Sequence, residues 1–162
     1  MSINTAEFQQ SVNHGREMLQ HNAYAPALEQ SNEILKHFPN EPNALFIKGC
    51  ALRGLGQLKL AKPILQKLIQ QRADFALAHQ ELAFVLHGLN ENEIAIVSLN
   101  QALKIKIDLP LSWQLLSELL IGIGDEAAAQ QAFNHYLQFS ATYPKLGEAL
   151  QAFISNKLAI CE

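Results

Sequence analysis

Cysteine is scarce in this sequence, because Cys50 and Cys161 are the only two among 162 residues. A disulfide framework needs several cysteine pairs, and a structural zinc site needs metal-ligating residues close together in sequence. Two distant cysteines provide neither. A disulfide-stabilised secreted domain and a paired-cysteine metal site are therefore excluded, and we expect a reducing compartment.

Basic clusters, long apolar runs and a leader peptide are also missing. Twelve basic residues stand against 15 acidic ones, a formal charge of −3, and no stretch concentrates Lys and Arg. Without a basic patch to offset phosphate charge, nucleic acid is not an expected partner. The N-terminus lacks the pattern of a secretory signal, and every apolar stretch is interrupted before about 18 residues. We therefore expect a soluble, cytoplasmic protein without a membrane partner.

Hydrophobic residues are plentiful at 49%, whereas charged residues make up 17%. A chain of this length buries roughly 70% of the surface that it exposes when unfolded. A hydrophobic core can therefore form, and the composition disfavours disorder.

The sequence repeats itself every 34 residues. One column of the repeat holds only alanine and another holds only small residues: Ala27, Ala61, Ala95 and Ala129, and Gly15, Gly49, Ala83 and Ser117. Two columns of small side chains predict two close helix contacts in each unit. A repeat of this length is typical of helix-turn-helix modules that stack on one another.

A third column holds only asparagine or glycine: Asn22, Gly56, Asn90 and Gly124. These two residue types most readily adopt the left-handed conformation that ends a helix. In the third unit, Leu82 and Leu86 before this column and Ala95 and Leu99 after it have helical spacing. Each unit is therefore predicted to contain two amphipathic helices joined by a turn.

Pro63 is the one proline that falls well inside a predicted second helix. Proline lacks an N–H and clashes with the preceding turn, except in the first turn of a helix. We expect a local kink or a late start of this helix.

The fourth unit carries the clearest motif, since Trp113, Leu116, Ala129 and Phe133 match a known consensus. This pattern resembles the tetratricopeptide repeat (TPR) family. The resemblance implies an all-α fold, a right-handed α-α superhelix of four TPR helix-turn-helix repeats plus a C-terminal capping helix, in a single domain. The repeats are expected at about residues 8–41, 42–75, 76–109 and 110–143, with residues 144–162 as a capping helix or a truncated fifth repeat.

No catalytic or cofactor-binding motif stands out. Gly54-Leu55-Gly56 and Gly122-Ile123-Gly124 resemble the start of a dinucleotide fingerprint, but each lies between two predicted helices rather than after a strand. The six histidines never lie three or four residues apart on one helix, so they do not predict a metal site. We expect no enzyme activity within these residues, no cofactor and no metal.

The resemblance implies that the first helix of each repeat lines a concave, peptide-binding groove. The residues expected to line it are Arg16, Phe46, Cys50, Arg53, Gln80, Phe84, His87, Gln114 and Glu118. Aromatic residues flanked by arginine suit an extended peptide or a partner helix that carries an acidic residue. The alternative is that Phe46 and Phe84 simply pack against the adjacent repeat.

One use of the family is to grip the acidic C-terminal tail of a chaperone with Lys, Asn and Arg side chains. The corresponding positions here are Val12, Arg16, Ile47, Leu77 and Glu81. Only one of these is basic and one is acidic, so this use is not expected.

Two functional hypotheses remain. The first is a stand-alone bacterial protein-protein interaction scaffold that binds a peptide or partner helix, as a monomer or weak homodimer. The second is a substrate-recruiting N-terminal region of a longer enzyme, because the segment after Pro144 reads as the beginning of another repeat. The C-terminal stretch is loosely similar to the repeat region before the catalytic domain of certain bacterial sulfotransferases.

Overall fold

The computed structural model describes residues 5–140, which form eight α-helices and no strand. The all-α fold is therefore confirmed, whereas the expected capping segment lies outside the described residues. The helices are α1 Thr5–Gln20, α2 Tyr24–His37, α3 Pro42–Gly54, α4 Leu58–Gln71, α5 Ala76–Gly88, α6 Asn92–Ile105, α7 Pro110–Gly122 and α8 Glu126–Ser140. They belong to two compact units, α1–α6 to the first and α7–α8 to the second.

The turn within each helix pair has the conformation that the asparagine and glycine column predicts. Asn22 and Asn90 have φ values of 56° and 61°, and Gly56 and Gly124 have values of 72° and 81°. The next backbone N–H donates back to a carbonyl five residues earlier, as Ala23 does to Met18 at 2.8 Å. This bond satisfies a carbonyl that the end of the helix leaves free, so the helix stops and the chain reverses.

Small residues allow the helices of the first unit to approach closely. Ala27, Ala61 and Ala95 have no exposed surface. A Cβ added at Gly49 of α3 would lie 2.5 Å from Cδ2 of Leu65 in α4, closer than carbon atoms can pack. The small columns therefore mark contacts between helices.

Helix α4 begins at Leu58 with Pro63 inside it, so of the two expected alternatives the late start is wrong, and the local kink stays a prediction. Proline at this position lacks the one backbone N–H that would donate to the Lys59 carbonyl. Lys59 is exposed, so water can take the place of that missing donor. Buried Ala61 and Leu65 on either side of the proline hold the helix against the core.

The core of the first unit is continuous across its repeats. One buried cluster joins α1, α2 and α3, and a second joins α3, α4 and α5 through Leu45, Leu68 and Ala78. In the second unit, the Ser117 hydroxyl donates to the Ala129 carbonyl at 3.0 Å, which ties α7 to α8. None of the helices in residues 5–140 is long and apolar enough to cross a lipid bilayer.

Candidate partner-binding surface

The first helices of successive repeats in the first unit contact one another, since α1 contacts α3 and α3 contacts α5. Side chains of neighbouring repeats can therefore combine into one surface. We define the α3–α5 face as Cys50 and Arg53 of α3 together with Gln80, Glu81, Phe84 and His87 of α5.

Arg53 is the centre of the α3–α5 face. Its Nε donates to Oε2 of Glu81 at 2.7 Å, and its guanidinium lies 5.4 Å from the centre of the Phe84 ring. The Arg53 side chain is 37% exposed, whereas that of Glu81 is 11% exposed. A charged group is thus fixed between a nearly buried carboxylate and an aromatic face, and part of it stays accessible to a partner.

The ion pair changes how both α3 residues titrate. Burial lowers the pKa of the Arg53 guanidinium, but the Glu81 carboxylate more than offsets this, and the pKa is raised. Cys50 is a free, buried cysteine. Burial, then the Glu81 charge, raise the pKa of its thiol well above the ordinary value, although Arg53 opposes them. The thiol is therefore protonated at neutral pH and is a poor nucleophile.

Gln80 and His87 complete the α5 side of the face. Gln80 is buried, whereas His87 is exposed near the end of the helix. Nδ1 of His87 lies 2.9 Å from Oδ1 of Asn92, the first residue of α6. The face is thus buried at one end and hydrated at the other.

Arg16 belongs to a different polar network, between α1 and α3. Its guanidinium donates to Oδ1 of Asn43, whose amide in turn donates to Oε1 of Glu41 at 3.0 Å. The other Glu41 oxygen caps α3 by accepting from the Ala44 backbone N–H at 2.6 Å. Arg16 is exposed and has a neutral direct partner, so its positive charge is not cancelled by that contact.

Phe46 lies on α3 one helical turn before Cys50, but its contacts differ from those of Phe84. Its ring is 5.0 Å from that of Phe75, just before α5, and it packs on the cluster of Leu45, Leu68 and Ala78. Phe46 therefore packs on Phe75, the last residue of its own repeat, and on a cluster that reaches α5, whereas Phe84 lies under Arg53. The structure does not bring the two phenylalanines together.

The two remaining predicted residues lie on α7, in the second unit. Nε2 of Gln114 donates to Oε1 of Glu118 at 3.1 Å, one turn along the same helix. Both are half-buried.

Glu81 was not among the predicted groove residues, although it holds Arg53 in place. A signal for it exists in the sequence, because the two cross-repeat polar contacts of the first helices span similar distances along the chain. Arg16 and Asn43 are 27 positions apart, and Arg53 and Glu81 are 28 apart. Both spacings are slightly less than one repeat.

Metal-ligating side chains are dispersed. Within residues 5–140, no three His, Cys, Asp or Glu side chains are grouped as a metal site requires. The α3–α5 face offers hydrogen bonding, charge and an aromatic surface, which are features of a binding surface.

Comparison with known proteins agrees with the all-α repeat fold. Residues 42–75, which contain α3 and α4, match the family model of the tetratricopeptide repeat. The tetratricopeptide repeat inferred from the sequence is therefore confirmed for these residues. No curated protein sequence matches the chain.

Solved structures of MamA share the fold. One, MamA 41-end from Desulfovibrio magneticus RS-1, is 21% identical with a TM-score of 0.71, over 85% of this chain and 78% of that chain. Another crystal structure of MamA is 20% identical with a TM-score of 0.73, over 85% and 81% of the two chains. Together with the matched repeat, this fold supports a protein-interaction scaffold of a kind that is typically not enzymatic. The similarity to sulfotransferase repeat regions stays a prediction.

Proposed function

We propose that this chain, a tetratricopeptide repeat protein by its matched repeat and its fold, binds a segment of another protein on its α3–α5 face. The observation that carries the proposal is the cation–π contact of Arg53 with Phe84, at 5.4 Å from the ring centre, between the first helices of two successive repeats. The occupant would be an extended peptide or one face of a partner helix.

The energetics of interfaces favour this location. Arginine and aromatic side chains contribute most to binding when they are already held in their bound conformation. Arg53 is held by Glu81 on one side and by Phe84 on the other, so a partner orders fewer side chains when it binds. Exposed His87 lies at the rim, where hydrogen bonds to a partner compete with water.

Arg16 extends the proposed surface toward α1. It is exposed and bound to a neutral amide, so it can attract an acidic group of a partner. Roles for Phe46, Gln114 and Glu118 in binding stay predictions, as does a cytoplasmic location.

A peptide selection tests the proposal even though the partner is unidentified. A random peptide library displayed on phage is selected on the immobilised chain, and the affinity of the selected peptides is measured by fluorescence anisotropy. Phe84→Ala should weaken binding about tenfold or more, as expected for a central aromatic of an interface.

The matched control is Ile94→Ala, which removes an exposed apolar side chain from the second helix of the same repeat. This variant should bind as the wild type does. Equal weakening by both variants, or by neither, would reject the α3–α5 face as the binding surface. Failure of the library to yield any specific peptide would count against peptide binding altogether.

A further inference from the structure

We infer that Glu81 determines the specificity of the α3–α5 face, by occupying Arg53 so that the face accepts uncharged partner segments and rejects acidic ones. This inference rests on the proposed function and names the chemistry of its ligand. It differs from the expectation raised by sequence, in which Arg53 attracts an acidic group.

The first step concerns charge. Oε2 of Glu81 accepts from Nε of Arg53 at 2.7 Å, so the positive charge of the guanidinium is balanced within the protein. A partner carboxylate approaching Arg53 meets the negative charge of Glu81 at nearly the same place. Like charges brought together at an interface disfavour that partner, which is how repulsion produces specificity.

The second step concerns whether a partner can displace Glu81. The Glu81 side chain is 11% exposed, and its carboxylate accepts a hydrogen bond from Nε of Arg53. A displaced Glu81 would be left as a nearly buried carboxylate without its cation, which is strongly unfavourable. Glu81 therefore keeps Arg53, and a partner carboxylate that reaches the remaining N–H groups of the guanidinium does so beside the negative charge of Glu81.

The third step concerns what the face still offers. The Phe84 ring and the exposed part of the Arg53 guanidinium over it can pack against apolar or planar groups of a partner. Exposed His87, next along α5, can exchange hydrogen bonds with a peptide backbone. These contacts suit an uncharged segment with an apolar or amide side chain opposite Phe84.

Arg16 serves as an internal comparison. It is exposed on the preceding first helix and donates to Asn43, an uncharged group. The two arginines thus differ in the charge of the residue that the next repeat presents to them. Any preference for an acidic group belongs at Arg16, and the preference for an uncharged group belongs at Arg53.

The test compares four forms of the full chain in the same random peptide selection: the wild type, Glu81→Gln, Glu93→Gln, and the double variant Arg53→Gln with Glu81→Gln. Glu93 lies exposed on α6, so its substitution makes the same change of net charge away from the face. Circular dichroism melting verifies that each variant is folded. The tightest wild-type peptide is then resynthesised with Asp at each position in turn, and affinities are measured by fluorescence anisotropy.

We expect the wild type and Glu93→Gln to select peptides poor in Asp and Glu opposite Phe84. Glu81→Gln should bind at least one Asp-containing peptide about fivefold more tightly than the wild type does, the effect of one partly exposed ion pair. The double variant should lose this gain, because the gain depends on the released guanidinium.

Three results would overturn the inference. In the first, the wild type selects peptides rich in Asp and Glu at the position next to Phe84. In the second, Glu81→Gln and Glu93→Gln rank the Asp-containing peptides in the same order. In the third, the gain in affinity for an Asp-containing peptide persists in the double variant, which lacks Arg53. The first result uses the wild type alone, so it is informative even if a variant fails to fold. If the selection yields no peptide at all, the proposed function is rejected, and this inference with it. That outcome is distinguishable from the three results above, each of which requires a bound peptide.

Discussion

Substitution of Gly49 by alanine measures how closely α3 and α4 approach. The new Cβ would lie 2.5 Å from Cδ2 and 2.7 Å from Cγ of Leu65. Carbon atoms pack at about 3.5–4.0 Å, so the overlap is roughly 1 Å. Leu65 has no exposed surface into which its side chain could turn. Overpacking of this kind costs about 1–3 kcal/mol, whereas alanine gains about 1 kcal/mol over glycine in a helix. We expect a net loss of about 0–2 kcal/mol in the free energy of unfolding, compared with a gain of up to about 1 kcal/mol where an added Cβ meets no atom.

The matched control is Gly122→Ala at the end of α7, where an added Cβ meets no atom within 4 Å. This substitution should be neutral or stabilising by up to about 1 kcal/mol. Urea unfolding followed by far-UV circular dichroism gives both values. Trp113, the only tryptophan, reports on the second unit by fluorescence. A Gly49→Ala variant as stable as Gly122→Ala would refute the close approach of α3 and α4.

Two further predictions concern buried positions of the first unit. Ala95 has no exposed surface, so Ala95→Leu should overpack the contact between α5 and α6. The substitution should lower the free energy of unfolding by about 1–3 kcal/mol. An unchanged midpoint of urea unfolding would contradict the repeat register. For Cys50, Glu81 raises the pKa of the thiol, so Glu81→Gln should lower that pKa and shift the onset of thiol alkylation to lower pH. The alkylation rate is measured against pH in a Cys161→Ser background, and an onset at the same pH in both proteins would show that Glu81 does not act on the thiol.

The turns and close helix contacts were predictable because each depends on a residue type at one position. A left-handed backbone favours glycine or asparagine, and these occupy all four turn positions, including Asn22 with its φ of 56°. A position where two helices approach closely excludes large side chains. The fully buried Ala61 illustrates this requirement. Both requirements recur with the repeat, so periodicity reveals them.

The start of α4 and the placement of Phe46 were harder to predict. The rule for proline in helices considers one turn in isolation, whereas the buried contacts of Ala61 and Leu65 hold α4 together around Pro63. The sequence left Phe46 between lining the groove and packing in the repeat array; its ring lies 5.0 Å from that of Phe75, at the end of the same repeat, and a role in binding stays a prediction. Tertiary contacts of this kind outweigh local preference.

By itself, the sequence determined the helical class, the order of helices and turns, and the contacts of the small-residue columns, because these follow from residue size and backbone preference repeated along the chain. Only the tertiary structure decided that Arg53 pairs with Glu81 over Phe84 while Arg16 pairs with neutral Asn43. Such pairing depends on how closely two helices from different repeats approach and on the directions of their long side chains. A shift of a few ångströms between the helices exchanges one hydrogen-bond partner for another. The charge that the α3–α5 face presents therefore becomes defined only when the repeats pack together.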